Sequence, residues 1–317
     1  MAEHGTPFTG HACPDGVLVV GESLIDIISG TDGRQHRLPG GSTLNVAVGL
    51  GRLGEDVSLL TEIGTDNDSR LIEEHLHASR VGLHPATIRS GRTSTARAEL
   101  GEDGAAHYGF DLRWTLTSRG LLEPTLPPAV LHVGSIGAVL EPGYKGVAAL
   151  CRSLPTALVT FDPNIRVGLV PERDMKERVG RLMSMSDVVK LSDADAEVLF
   201  PGLDEGAIIE RILGFGPSLV AVTRGGDGAT LASARQRIQS PAATAAVVDT
   251  IGAGDSFMAG LIHKLLHGGP NGLLRDLGDL PEADMADILR FAVGCAGITV
   301  ARAGADLPWL PEVEEAG

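Results

Sequence analysis

Six short, predominantly apolar runs punctuate the 317-residue chain: GVLVVGE, VSLLTEIG, AVLHVGSI, ALVTFDPN, DVVKLSD and LVAVTRGG. In each, the apolar stretch gives way to polar or glycine residues. Between them lie segments with helical periodicity, Leu44 to Leu53, Ser69 to Ser79, Gly143 to Arg152, Glu172 to Met185 and Gly206 to Leu213. Strands that are apolar throughout must be covered on both faces, and helices between them do the covering. The expected fold is therefore α/β, a doubly wound, mostly parallel sheet with helices on both faces. In such sheets ligands bind at the C-terminal ends of the strands, where the polar residues of these runs fall.

One stretch breaks the rhythm. RTSTARAELGEDGAAHYGFDLRW has two β-like arms around GEDG, a hairpin signal. With RQHRLPGG upstream it would form a small β-sheet lid; by itself it reads first as a plain surface hairpin. The expected organisation is a flexible tail over 1–15 and a single domain over 16–317. Lid segments would be inserted at about 32–41 and 90–115. Exposed edges on such a lid would suit pairing with a second copy, a homodimer.

A hydrophobic fraction of 43% with 21% charged residues suits a globular protein, and 3% aromatics leaves an aliphatic core. The net charge of −15 argues against a nucleic-acid or anionic membrane surface. An anionic substrate would need a locally positive pocket. Cys13, Cys151 and Cys295 form no CxxC pair and sit near no metal-type histidine spacing, so neither disulfides nor zinc are expected around them. The polar start has no apolar signal core, and no run approaches the ~20 residues of a membrane span. A cytoplasmic location is expected.

Two common nucleotide signatures fail. GLGRLG, Gly49 to Gly54, matches a dinucleotide fingerprint but closes a helical pattern instead of opening one. No Walker loop is present. In VVDTIGAGDSFMAG, by contrast, AAVVD reads as a strand, GAG as a tight turn and DSFMAGLIHKLL as an apolar-faced helix. Backbone N–H groups of Ile251 to Gly254 would then cradle an anion at a helix start. Asp255 beside them has two readings. It caps the helix, or it accepts a proton from a hydroxyl attacking a phosphoryl group.

In LPGGSTLNVAV, Gly40 and Gly41 permit close backbone approach, and Ser42 or Thr43 would cap the helix. Asn45 in its first turn faces either a ligand or its own backbone. Asp26 is a solvated loop end or a hydroxyl acceptor. FDPNIR places Asn164 and Arg166 after a strand, and guanidinium suits phosphate. Lys190 offers a second cation. Taken singly, each basic residue also reads as surface charge.

Together these residues resemble the ribokinase-like sugar kinases of the PfkB family over almost the whole chain. DTIGAGDSFMAG and PGGSTLNVAVGLGRLG carry the resemblance most specifically. GESLIDII, FDPNIR, VTRGGDGA and FAVGCAGITVARAGADLP follow in the family's order, with a likeness to the fructokinase and 2-keto-3-deoxygluconate kinase branches.

The resemblance implies ATP-dependent phosphorylation of a sugar hydroxymethyl group, with fructose or a related keto sugar as the expected acceptor. It implies Asp255 as base, Gly252, Ala253 and Gly254 as anion hole and Arg166 as helper. Asp26, Gly40, Gly41, Asn45, Arg97, Tyr108 and Asn164 would hold the sugar, with Asp66 and Asp68 as further contacts. Lys190, Ser192, Asp195, Thr223, Gly225 and Ala229 would serve ATP and Mg²⁺. Asp249 and the carbonyls of Ile251, Thr299 and Gly304 would hold a monovalent cation such as K⁺. The family's Asn-x-x-Glu motif appears here as Ser192-Asp-Ala-Asp195, with a shorter acid and no amide. Rival readings are 2-keto-3-deoxygluconate kinase, ribokinase, a nucleoside kinase, and a sugar-sensing protein that binds without turnover.

Overall fold

The computed structural model describes residues 16–29, 35–100, 106–117, 127–155, 157–269, 272 and 276–316. The expected tail at 1–15, lid residues 32–34 and the GEDG turn lie outside them, as does the Tyr108 side chain.

The chain opens with β1 (Val17–Val20), β2 (Leu24–Ser29), β3 (Gln35–Gly40) and α1 (Ser42–Arg52). Then come β4 (Val57–Leu60), β5 (Glu62–Ile63), α2 (Asn67–Ala78), β6 (Val81–Leu83) and β7 (Ile88–Arg89). A hairpin, β8 (Ser94–Leu100) and β9 (Ala106–Asp111), precedes β10 (Val130–Gly134), α3 (Tyr144–Ser153), β11 (Leu158–Asp162) and α4 (Glu172–Met183). Next are β12 (Val188–Ser192), α5 (Asp193–Leu199), α6 (Glu205–Leu213), β13 (Leu219–Thr223), β14 (Ala229–Ala232) and β15 (Arg237–Ser240). The helices α7 (Ala253–His267), α8 (Glu282–Val300) and α9 (Leu310–Ala316) close the chain.

The main sheet has the order β15-β14-β13-β12-β11-β10-β1-β4-β6 and is parallel from β13 to β6, with an antiparallel edge at β14 and β15. Alternation along each strand feeds two cores, because successive side chains point to opposite faces. Val17, Val19, Leu219 and Ala221 pack with α1, α7 and α8, whereas Leu18, Val20, Val220 and Val222 pack with α3, α4 and α6. All six apolar runs lie in this sheet, and the five helical segments match α1, α2, α3, α4 and α6 within two residues.

The hairpin lies in a separate four-stranded sheet of order β3-β2-β8-β9. The expectation had left out β2. LIDIIS follows the first apolar run after a turn at Gly21–Ser23 and pairs with β3 antiparallel and β8 in parallel. A second difference concerns AAVVD, which forms no strand. Residues 241–247 carry no regular structure, and Val247 and Val248 are largely exposed.

Asp66 and Asp68, expected near the sugar, have structural partners. Asp66 accepts from Ser69 N at 3.0 Å, capping α2, and from Thr93 N and Oγ1 at 2.9 and 2.6 Å, tying α2 to the entry of β8. Asp68 pairs with Arg37 of β3. Removal of the Asp66 carboxylate by Asp66→Ala is expected to cost at least about 1 kcal/mol in urea unfolding, the usual worth of a cap. An unchanged midpoint would contradict the assignment.

Candidate active site

The parallel strands deliver Glu22, Asp162, Ser192 and Thr223 to one edge of the sheet, just beyond or at the C-terminal ends of β1, β11, β12 and β13. The start of α7 belongs to the same cluster, because a Cβ on Gly254 would fall 2.8 Å from Lys190 Nζ at this edge. The turn into α7 depends on Gly252, which N-caps the helix at φ +78 with its Cβ position 2.7 Å from Ala305 Cβ. An L side chain is excluded there by conformation and by space.

Asp255 does not cap its helix. It occupies the first turn, buried, and its carboxylate turns to α1: Ser42 Oγ donates to Oδ1 at 2.6 Å and Asn45 Nδ2 donates to Oδ2 at 2.8 Å. The expected caps of α1 are corrected by the same contacts. Gly41 stands at its N-cap, Ser42 serves Asp255, and Thr43 Oγ1 donates to Glu22 O at 2.8 Å. The cradle is also narrower than expected, since Ile251 N–H is turned to Asp249 Oδ1 at 3.0 Å and Ala253 N–H lies 3.3 Å from Thr250 O. Among the described residues, the N–H groups of Gly252, Gly254 and Asp255 have no protein partner. They sit at the positive end of a 15-residue helix.

Beneath the cradle lies an ion pair absent from the sequence reading. Lys190 Nζ is 2.8 Å from Asp162 Oδ2, and both are buried. Burial alone would lower the ammonium pKa, but Asp162, Asp195 and Asp255 raise it, so Lys190 stays charged. Burial pushes Asp162 up to about 6 against the pull of Lys190, and its Oδ1 has no partner. Lys190 is thus one buried cation among carboxylates and below the cradle, not a surface charge.

Ser192 and Asp195 form a capping box on α5. Ser192 Oγ accepts from Asp195 N at 3.0 Å, and Asp195 Oδ2 accepts from Ser192 N at 3.0 Å. Asp195 Oδ1 takes Ile165 N at 2.7 Å. Asp195 Oδ1 thus ties the FDPNIR turn to α5, while Oδ2 is held by Ser192 N and Oγ within the capping box. Arg166 is exposed and donates to Asn164 Oδ1 at 2.7 Å, with Asn164 at φ +36.

Asp26 on β2 is half-buried and paired with Leu38 on β3, with its carboxylate beside Gly40. A Cβ on Gly40 would sit 2.1 Å from Asp26 Oδ2, so only glycine leaves the carboxylate this position. Burial raises Asp26 to about 6, and Arg166 opposes the shift. Glu22, unremarked in the sequence, accepts Gly137 N at 2.7 Å; burial raises it, and Gly137, Ser135 and Arg166 temper the rise. Arg97 on β8 is exposed.

On the nucleotide side, Thr223 ends β13 and Gly225 begins the turn after it. Ala229 lies buried at the start of β14. Asp249 accepts from Ile251 N and Gly304 N, at 3.0 and 2.9 Å, and these bonds hold its pKa low. The carbonyls of Thr299 and Gly304 accept Arg302 N and Asp306 N, and each retains a lone pair. Thr299 Oγ1 is spent on Ser256 Oγ and Cys295 O.

The pfkB family carbohydrate kinase model matches residues 15–312. A fructokinase of Klebsiella pneumoniae is 31% identical over 94% of this chain and 98% of its own. The fructokinase of Vibrio cholerae O395, solved with fructose, ADP and calcium, is 25% identical, with a TM-score of 0.79 over 92% of this chain and 95% of that one. A fructokinase of Xylella fastidiosa with bound ATP has a TM-score of 0.84 at 24% identity, over 96% and 98% of the two chains.

The raised Asp26 has a signed consequence. Its folded-state pKa lies near 6 against an ordinary 3.8, so the ionised group costs stability above about pH 6. That cost fades as pH falls from 6 towards 3.8. Asp26→Asn is expected to raise the melting temperature at neutral pH, with the gain shrinking through that window. A lower melting temperature at neutral pH would contradict it.

Proposed function

Because the chain belongs to the pfkB family of carbohydrate kinases over residues 15–312, we propose that it transfers the γ-phosphoryl group of ATP to a hydroxymethyl group of fructose. The observation that carries this reading is the buried Asp255 carboxylate beside three unpartnered N–H groups at a helix start. A base and an anion cradle at one point are what phosphoryl transfer to an alcohol requires. Similarity to fructokinases across nearly their full length favours fructose within the class.

In this reading the sugar lies between the lid and α1. Asp26 accepts its hydroxyls, and Gly40 keeps the Asp26 carboxylate clear of its own strand. Asp255 takes the proton from the attacking hydroxyl. The sugar oxygen then bonds to the γ-phosphorus as the bond to the β-phosphate oxygen breaks, and ADP leaves with that electron pair. The Gly252, Gly254 and Asp255 N–H groups receive the charge on the transferred group. Lys190 below them and Arg166 at the rim offset the charge of the incoming triphosphate. Mg²⁺ enters with ATP as part of the substrate, and Asp195, with both oxygens engaged, shapes the site through the FDPNIR turn. Asp249 and the carbonyls of Ile251, Thr299 and Gly304 would hold K⁺, which supplies a fixed charge beside the cradle when bound. The lid, with Ile28 and Leu38 exposed on it, is where a second copy would pair.

A sugar-sensing protein is the reading this one must beat. The test is ADP formation from ATP and Mg²⁺, with and without K⁺, over fructose, 2-keto-3-deoxygluconate, ribose, tagatose 6-phosphate, fructose 1-phosphate and adenosine. Fructose is expected to give the highest kcat/KM, enhanced by K⁺. Fructose binding without ADP release would instead establish the sensor, and turnover confined to another acceptor would reassign the substrate.

A further inference from the structure

The opposite end of α7 from Asp255 carries His263 and His267, four residues apart and so on one face of the helix. Both turn to the same acceptor, Glu55, in the connection between α1 and β4. Its Oε1 lies 2.5 Å from His263 Nδ1 and 2.8 Å from His267 Nε2. The three donor atoms all fall within 4.8 Å of one another. We propose that Glu55, His263 and His267 form a binding site for a divalent transition-metal ion of the zinc class.

The donor set is the reason. Two imidazoles and one carboxylate are ligands that zinc takes at about 2.0–2.2 Å, with a fourth position left to water. Mg²⁺ prefers oxygen donors throughout and is a poor match. The site is built on one side and open on the other: Glu55 and His263 are 8% and 12% exposed, His267 57%. Phe291 stacks on the His263 ring at 5.0 Å and 20°, which fixes the ring plane. The nearest helix cation, Lys264, is turned to Asp287 and does not compete for Glu55. On binding, each imidazole presents a lone pair from the nitrogen that now faces Glu55, and that proton passes to the other ring nitrogen or to solvent. The ion would then tie the last turn of α7 to the end of α1, the two helices that meet at Asp255.

The test is calorimetric titration of the full chain with Zn²⁺ and with Mg²⁺, in the absence of nucleotide, together with the visible absorption of the Co²⁺-loaded protein. One equivalent of Zn²⁺ is expected to bind and raise the melting temperature, with no heat from Mg²⁺. His267→Ala, at an exposed position, is expected to keep the metal-free melting temperature. It should weaken Zn²⁺ by more than the ~10–100-fold that loss of an outer partner costs, and Glu55→Gln should alter the Co²⁺ spectrum. Zn²⁺ affinity that is unchanged in His267→Ala would overturn the site, as would a Co²⁺ spectrum indifferent to both substitutions.

Discussion

The two hydrogen bonds from α1 to the Asp255 carboxylate organise the rest of the molecule. Ser42 and Asn45 come from a helix that follows the lid strand β3, and Asp255 from a helix more than 200 residues later. Joining them requires the parallel sheet that packs α1 and α7 side by side over one core. It also requires the tight turn at Gly252, which frees N–H groups at the point where the carboxylate is buried. The contact therefore reports on fold, lid position and chemistry together.

Charge is the second constraint. The chain carries a net charge of −15, yet a kinase site must accept a triphosphate. In the structure a buried Lys190 lies among Asp162, Asp195 and Asp255 beside the start of α7, and Arg166 acts on the charge of Asp26 and Glu22. Removal of one partner from such a pair leaves an uncompensated buried charge, so the cluster is rigid by electrostatic necessity. Asp195 contributes to that rigidity through the capping box and Ile165 N, which gives the Ser192-Asp-Ala-Asp195 departure a structural job.

Much of the architecture was legible locally. Apolar runs and helical periods located the main sheet and its helices, because burial on both faces leaves no room for polar alternation. What the Asp255 carboxylate faces was not legible, since its partners are 213 and 210 residues away. The Asp162–Lys190 pair was missed for the same reason: two strands must first be adjacent. AAVVD misled because its apolar content suggested burial, whereas it is an exposed loop. Asp66, a sugar-contact candidate by resemblance, caps α2 in the structure and accepts from Thr93 across the lid junction.

The central claim is that Asp255 is the proton acceptor, and the most direct measurement is single-turnover phosphoryl transfer to fructose by Asp255→Asn, with fructose binding measured in parallel. The substitution keeps the shape and one oxygen for Ser42 or Asn45, so binding should survive. The transfer rate is expected to fall by at least the ~10²–10⁴-fold that a positioned base contributes. Transfer within about a factor of ten of the unsubstituted rate, well short of that range, would contradict the account and leave Asp255 as a strut between α1 and α7.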